Sequence, residues 1–200
     1  MKMMNSEHLL TEIPSVEALL GVKYALILPH TMPDGDTVGS SVALFLGLKL
    51  LGIQSWIVLE DQLPRELQFL GGAIISPEQY DRALTQLNYP INEKNAIAIT
   101  VDLSDLERLQ ARKDLIGDLP LWNIDHHITN LMFGHVKIID SNASSTGELM
   151  FKILKTWNVS MTKDIAEALY VAITTDTGSF KYTNTTRSEE RRGGKECRYR

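Results

Sequence analysis

Residues 24–51 read YALILPHTMPDGDTVGSSVALFLGLKLL, an apolar run, a polar loop and a longer apolar run in succession. The first run is short and ends at Pro29, which is typical of a buried strand. Residues 37–51 are apolar on most faces and end before Gly52, a pattern that predicts a mostly buried helix with a glycine after its last turn. A strand, a loop and a buried helix are the opening unit of an α/β sheet protein.

The same alternation continues along the chain. Further apolar runs predict strands at residues 54–59, 96–101, 121–124 and 136–139. Helical patterns predict helices at residues 64–70 and 77–87, and two more after the capping residues Ser145 and Thr162. Strands that alternate with helices favour a parallel sheet covered on both faces. We therefore predict one α/β domain with a doubly wound, mainly parallel, five-stranded sheet.

Composition limits the class of protein. The chain has 200 residues, of which 44% are hydrophobic, so it can bury the core of one domain. No apolar run approaches the roughly 20 residues of a membrane span, and the first residues lack the apolar core of a secretory signal, which predicts a cytoplasmic protein without a membrane partner. The net charge of −5 argues against electrostatic binding of nucleic acid by the bulk of the surface.

The last fourteen residues differ from the rest of the chain. Residues 187–200 read RSEERRGGKECRYR and contain the only cysteine, Cys197. A basic tail of this kind could bind nucleic acid. It also resembles the translation of a common sequencing adapter, RSEERRVGKEC, with Gly193 in place of valine, and we favour this interpretation. We therefore expect residues 1–186 to form the domain, and a disulfide or a thiolate zinc site is excluded.

Aspartate and histidine follow several of the predicted elements. In a doubly wound sheet, ligands bind beyond the carboxyl ends of the strands. The residues at these ends are His30, Asp34 and Asp36 after the first strand, Asp102 after the third, Asp125, His126 and His127 after the fourth, and Asp176 at the end of the last helix. An isolated Asp-Gly is usually a turn, and an isolated histidine is usually structural. Four such clusters at equivalent positions predict one shared site.

Several carboxylates at one place need positive charge between them. A ligand set of oxygen and imidazole nitrogen suits Mn²⁺, Mg²⁺ or Fe²⁺, with Zn²⁺ and Co²⁺ also open. The number of carboxylates exceeds the need of one ion, which predicts two ions that share a bridging carboxylate. Such a pair activates water and binds phosphate oxygens, so the pattern predicts hydrolysis of phosphoesters.

The clusters resemble, in this order, the motifs of the DHH phosphoesterase superfamily, which is named for the triplet at residues 125–127. The matching segments are HTMPDGDTVGS at 30–40, DHH at 125–127 and TDTGSF at 175–180, and the resemblance covers nearly all of residues 15–186. Within the superfamily, PDGD at 33–36, DQLPRELQFL at 61–70 and SSTGELMF at 144–151 are most similar to the bacterial bifunctional oligoribonuclease and 3′-phosphoadenosine 5′-phosphate phosphatase group. Manganese pyrophosphatases share the fold but typically carry PDTD in the first motif.

The resemblance implies a role for each candidate residue. Six would hold the metal ions: His30 and Asp34 the first ion, Asp36, His126 and Asp176 the second, and Asp102 both. His127 would donate to the scissile phosphate or to the leaving group, and Asp125 would orient a ligand histidine. Mn²⁺ is the favoured ion, with Mg²⁺, Co²⁺ and Fe²⁺ open, and water activated by two ions would attack phosphorus.

The resemblance also implies a second domain. Members of the group carry a C-terminal DHHA1 domain with a glycine-rich loop and basic residues that bind the nucleotide, and nothing in this sequence corresponds to it. The implied substrates are short RNA and phosphorylated nucleotides, and homodimer formation is left open. Two alternatives remain: a manganese-dependent inorganic pyrophosphatase, and a non-catalytic module that binds nucleotide or metal because the substrate-binding domain is missing.

Overall fold

A computed structural model describes residues 10–87 and 90–185 of the chain. The strands in these residues are β1 (Tyr24–Pro29), β2 (Gln54–Val58), β3 (Ile74–Ile75), β4 (Ala96–Val101), β5 (Leu121–Asp125) and β6 (Val136–Ile139). The α-helices are α1 (Gly35–Leu50), α2 (Pro77–Leu84), α3 (Thr146–Thr156) and α4 (Lys163–Asp176). Segments of 3₁₀ helix cover Val16–Leu19, Arg65–Ala73 and Leu106–Ile116. The stretch interpreted as a non-native tail, residues 187–200 with Cys197, lies outside the described part.

The strands form one sheet in the order β3-β2-β1-β4-β5-β6, and every neighbouring pair is parallel. The chain winds outward from β1 in one direction and then from β4 in the other. This order is that of a doubly wound sheet, in which the crevice lies where the winding direction changes. The prediction of a doubly wound, parallel α/β sheet is confirmed.

The predicted number of five strands is wrong by one. The sixth strand, β3, consists of Ile74 and Ile75, which pair with Ile57 and Val58 at the edge of the sheet. Two residues are too few for an apolar run to stand out from the helical segment before them. That segment, predicted as an ordinary helix at residues 64–70, is the 3₁₀ helix Arg65–Ala73.

Apolar side chains cover both faces of the sheet. In β1, Ala25 and Ile27 belong to the core beneath α1, α3 and α4, whereas Leu26 and Leu28 belong to the core on the opposite face. The second core lies beneath α2 and the 3₁₀ helix Leu106–Ile116. Because β1 is buried on both faces, it reads as a continuous apolar run rather than an alternating one.

Helices α1 and α4 pack closely because glycines of α1 face α4. A Cβ atom on Gly39 would lie 2.3 Å from the carbonyl oxygen of Ala168, and one on Gly35 would lie 2.4 Å from the side chain of Thr175. This contact brings the beginning of α1 next to the end of α4, which carries Asp176. None of the helices in the described part is long and apolar enough to cross a membrane.

Candidate metal centre

The structure brings together the eight residues that the sequence places in one site. They come from the loop after β1 and the beginning of α1, the ends of β4 and β5, and the end of α4: His30, Asp34, Asp36, Asp102, Asp125, His126, His127 and Asp176. This is the carboxyl edge of the central strands, where a doubly wound sheet binds its ligands.

Seven of these residues form three overlapping groups of candidate metal ligands. The groups are His30, Asp34 and Asp102; Asp36, His126 and Asp176; and Asp102, His126 and His127. Within each group the donor atoms lie within 4.8 Å of one another. Asp102 belongs to two groups, as a carboxylate between two cation positions would.

His30, Asp34 and Asp102 all contact the hydroxyl group of Thr37. The Thr37 oxygen lies 2.5 Å from His30 Nε2, 3.0 Å from Asp34 Oδ1 and 2.6 Å from Asp102 Oδ2. The other ring nitrogen of His30 lies 2.6 Å from the carbonyl oxygen of Thr31. A carbonyl only accepts, so Nδ1 of His30 carries a proton, and Nε2 is the ring nitrogen that faces Thr37 and Asp102 and could bind a cation in place of a proton.

The group of Asp36, His126 and Asp176 joins α1, β5 and α4. His126 Nε2 lies 3.8 Å from an oxygen of Asp36 and 3.5 Å from an oxygen of Asp176. Its Nδ1 atom lies 3.2 Å from the carbonyl oxygen of Ala143 and therefore carries a proton, so Nε2 is again the ring nitrogen directed at the carboxylates. The tautomers of His30 and His126 are therefore both compatible with a cation at Nε2.

The third group contains Asp102, which has an unusual backbone conformation, and His127, whose ring is held by a hydrogen bond to Asp125. Asp102 has a φ of 57°, and its amide donates to the carbonyl oxygen of Ile124 at 2.9 Å, so its side chain leaves the strand direction directly after β4. His127 Nδ1 donates to Oδ1 of the buried Asp125 at 2.6 Å. The second oxygen of Asp125 accepts from Asn130 Nδ2, also at 2.6 Å. Asp125 therefore orients His127, rather than one of the other candidate histidines.

Burial and mutual repulsion shift the pKa values of the carboxylates. Burial raises the pKa of Asp36 well above its usual range, and the charges of Asp102 and Asp176 raise it further. Burial also raises the pKa of Asp176. Burial acts in the same direction on Asp102, but hydrogen bonds with His30 and Thr37 and the nearby histidine charges outweigh it and lower this pKa. The hydrogen bond to Asp125 raises the pKa of His127 to about 9.

The donor set fits divalent cations. It consists of carboxylate oxygens and imidazole nitrogens, at least three to a group, and the acids among them repel one another when no positive charge lies between them. Burial is the largest cause of the raised pKa of Asp36, and a cation would relieve the repulsion from Asp102 and Asp176 that raises it further. The residues could therefore hold metal ions.

Several residues that support the site were not predicted from the sequence, although Thr37 and Thr146 lie within the motifs at 30–40 and 144–151. Thr37 and Thr146 donate to the two oxygens of Asp102, and Asn184 donates to the main-chain oxygen of Asp176 at 3.0 Å. The buried Arg112 donates from one nitrogen to the carbonyl oxygens of Pro29 and Val58, so it joins the ends of β1 and β2. Except for the contact of Asn184, each of these contacts joins residues that are distant in sequence.

A doubly wound sheet with acids and imidazoles clustered at its carboxyl edge defines an α/β protein with a candidate metal centre. The sequence profile of the DHH family, N-terminal domain, matches residues 25–173. The chain therefore belongs to the DHH family, whose members are metal-dependent phosphoesterases. This confirms the resemblance that the motifs indicate.

Individual relatives give the same assignment. The chain is 32% identical over 164 residues to the bifunctional oligoribonuclease and PAP phosphatase NrnA of Thermus thermophilus. The alignment covers 80% of this chain and 45% of that protein. It is 27% identical over 175 residues to NrnA of Bacillus subtilis, and this alignment covers 85% of this chain and 51% of that protein. An exopolyphosphatase-related protein from Bacteroides fragilis has a TM-score of 0.71 and 26% identity, with 83% of this chain and 49% of that chain covered. The chain thus spans about half the length of these relatives.

Proposed function

We propose that this chain is the catalytic domain, residues 1–186, of a metal-dependent phosphoesterase. Its proposed substrates are short oligoribonucleotides, the 3′-phosphate of phosphoadenosine phosphate, or both. The observation that carries the proposal is the convergence of three overlapping donor groups, each within 4.8 Å, at the carboxyl edge of the sheet. The identity of 32% to an enzyme named for these two substrates supports the substrate class.

The proposed ligands are His30 and Asp34 for one cation, Asp36, His126 and Asp176 for a second, and Asp102 for both. We take Mn²⁺ as the cation, because the donors are carboxylate and imidazole. When bound, two such ions supply positive charge that neutralises phosphate oxygens and activates water for attack. The acidic side chains of the chain itself would otherwise repel a phosphorylated substrate.

His127 is the proposed proton donor to the substrate. Asp125 accepts a hydrogen bond from Nδ1, which fixes the ring and leaves Nε2 for the substrate. The hydrogen bond to Asp125 raises the pKa of His127 and so favours the protonated ring, whose Nε2–H can donate to a phosphate oxygen or to the leaving oxygen. Asn130 holds the other oxygen of Asp125 and so prevents the pair from rotating.

Recognition of the nucleotide is the proposed role of a further domain. This chain spans 45% and 51% of the two NrnA proteins, so about half of each has no counterpart here. The candidate site holds five carboxylates and three imidazoles, whereas a nucleotide with several phosphates calls for further cationic side chains as well as metal ions. We therefore expect the 200-residue chain to bind cations well and to hydrolyse natural substrates slowly.

The test measures cation binding and turnover separately. The 200-residue chain is stripped with EDTA, titrated with Mn²⁺, and assayed on a ribo-pentanucleotide, on phosphoadenosine phosphate, on pyrophosphate and on the activated diester bis(p-nitrophenyl) phosphate, which needs little recognition. We expect hydrolysis of the diester that depends on Mn²⁺ and falls at least about 100-fold in Asp102→Asn and His126→Ala. Asp118→Asn is the matched control, because Asp118 is exposed and precedes β5 at the opposite edge of the sheet.

Each other outcome replaces the proposal with a defined alternative. Hydrolysis of pyrophosphate without hydrolysis of either nucleotide substrate would make the chain an inorganic pyrophosphatase. Binding of Mn²⁺ without turnover of any substrate, the activated diester included, would make it a binding module. A chain that binds no Mn²⁺ would refute the proposed metal centre.

A further inference from the structure

Thr146 connects two candidate metal ligands that belong to different elements. Its amide donates to Oδ2 of Asp36 at 2.7 Å, and its hydroxyl group donates to Oδ1 of Asp102 at 2.9 Å. Thr146 is completely buried, and it is the first residue of α3. One small, rigid residue therefore holds an oxygen of the carboxylate from α1 and an oxygen of the carboxylate after β4.

The hydroxyl group of Thr146 is not needed to begin the helix. Ser145 is the N-cap residue, and its side chain accepts from the amide of Glu148 at 3.0 Å. The carboxylate of Glu148 accepts from the amide of Ser144 at 2.8 Å, which fixes the chain directly before the N-cap residue. The contact of the Thr146 hydroxyl group with Asp102 therefore serves the carboxylate rather than the helix.

The main chain at the same place stabilises the charge of Asp36. The amide of Gly147 donates to Oδ1 of Asp36 at 2.8 Å, so both oxygens accept from the first turn of α3. A carboxylate at the N-terminus of a helix is stabilised by the free amides and the helix dipole. Helix α3 thus fixes Asp36 through its main chain and Asp102 through a side chain, and Thr146 supplies a contact to each.

We propose that Thr146 is a positioning residue of the metal centre, which sets the separation of the Asp36 and Asp102 carboxylates and thereby the spacing of the two cations. This inference rests on the proposed function, because it requires that both carboxylates bind metal. Loss of the hydroxyl group would leave an oxygen of Asp102 without its donor and let that carboxylate rotate. Removal of a hydrogen bond that orients a ligand typically weakens metal binding about 10–100-fold.

The experiment compares Thr146→Val, which keeps the shape and removes the hydroxyl group, with Thr146→Ser, which keeps the hydroxyl group. Thr156→Val is the control, because Thr156 is exposed at the other end of α3 and bonds only to the carbonyl oxygen of Lys152 in the described part. Free Mn²⁺ is counted by its six-line electron paramagnetic resonance signal, and the exchange-coupled signal of a bound Mn²⁺ pair reports the separation of the ions. Unfolding of each EDTA-treated variant is measured in urea.

We expect Thr146→Val to bind the second equivalent of Mn²⁺ about 10–100-fold more weakly than the wild type and to lose or alter the coupled signal. Thr146→Ser and Thr156→Val should retain both. A wild-type affinity and coupled signal in Thr146→Val would refute the positioning role, and so would equal losses in the valine and serine variants. If the wild-type chain binds no Mn²⁺, the proposed function fails first and the inference with it.

Discussion

Replacement of Gly39 by alanine tests whether the packing of α1 on α4 also holds the candidate metal centre together. The added Cβ atom would lie 2.3 Å from the carbonyl oxygen of Ala168 and 2.9 Å from the Cβ atom of Ala172. Non-bonded heavy atoms ordinarily lie about 3.5 Å apart, so α4 would have to withdraw by about 1 Å. The obstacle is main chain, which cannot rotate away as a side chain can.

Two opposing effects determine the change in the free energy of unfolding. Alanine in a helix is favoured over glycine by about 1 kcal/mol. Overpacking of a core typically costs about 1–3 kcal/mol, and contact with main chain places this site at the upper end. We therefore expect Gly39→Ala to lower the stability of the EDTA-treated protein by about 2 kcal/mol in urea denaturation.

The same displacement should weaken cation binding selectively. Asp36 precedes Gly39 by about one helical turn, and Asp176 follows Ala172 by about one turn, so a wider gap between α1 and α4 separates these two carboxylates. We expect the Mn²⁺ ion held by Asp36 and Asp176 to bind more weakly in a titration. The ion held by His30, Asp34 and Asp102 should bind as in the wild type.

Gly72→Ala is the control for this substitution. A Cβ atom on Gly72 would meet no atom within 4 Å, so we expect a change in stability within about 0.5 kcal/mol. If Gly39→Ala is as stable as the wild type, or more stable, and binds both equivalents normally, the close helix contact does not organise the site.

Three further predictions concern charge in the site. Mn²⁺ at about 100 times its Kd should raise the free energy of unfolding by about 2.7 kcal/mol, and urea curves that are unchanged by Mn²⁺ would contradict a folded metal centre. Asp176→Asn should raise the stability of the EDTA-treated protein, because burial and the nearby charge of Asp102 disfavour the ionised carboxylate, and it should lower the affinity for Mn²⁺ at least about 100-fold in a titration. In the EDTA-treated protein, His127 should titrate near pH 9 by NMR, and its pKa should return toward 6.5 in Asp125→Asn. Because the folded state raises this pKa, the stability that His127 contributes is complete below pH 6.5 and disappears as the pH rises through 9. A wild-type midpoint near 6.5 would refute the effect of Asp125.

The sequence was sufficient to predict the centre of the fold but not its edge. β1 and β4 are buried along their whole length, so each appears as an uninterrupted apolar run with a polar residue directly after it. The parallel direction of the strands followed from their alternation with helices, because a helix that crosses over the sheet connects strands of the same direction. β3 escaped prediction because two paired residues produce no periodicity.

The candidate ligands could be predicted because topology alone gathers them. His30, Asp102 and His126 each follow a parallel strand, and the ends of parallel strands meet at one edge whatever the details of packing. The residues that orient them follow no such rule. Thr146 reaches Asp102 only because α3 begins next to the end of β4. The φ of 57° at Asp102 could not be predicted from the residue pattern either.

Close helix contacts surround the candidate metal centre, and one cause explains both features. Cations can be shared only by carboxylates that lie a few ångströms apart. Asp36, Asp102 and Asp176 come from α1, the end of β4 and the end of α4, so the main chains of these elements must approach closely. At Gly147 an added Cβ atom would lie 2.5 Å from Ala172 and 3.3 Å from an oxygen of Asp36. The free amides of α3 offset part of the repulsion when no cation is bound. Substitutions that widen these contacts should therefore weaken cation binding together with stability.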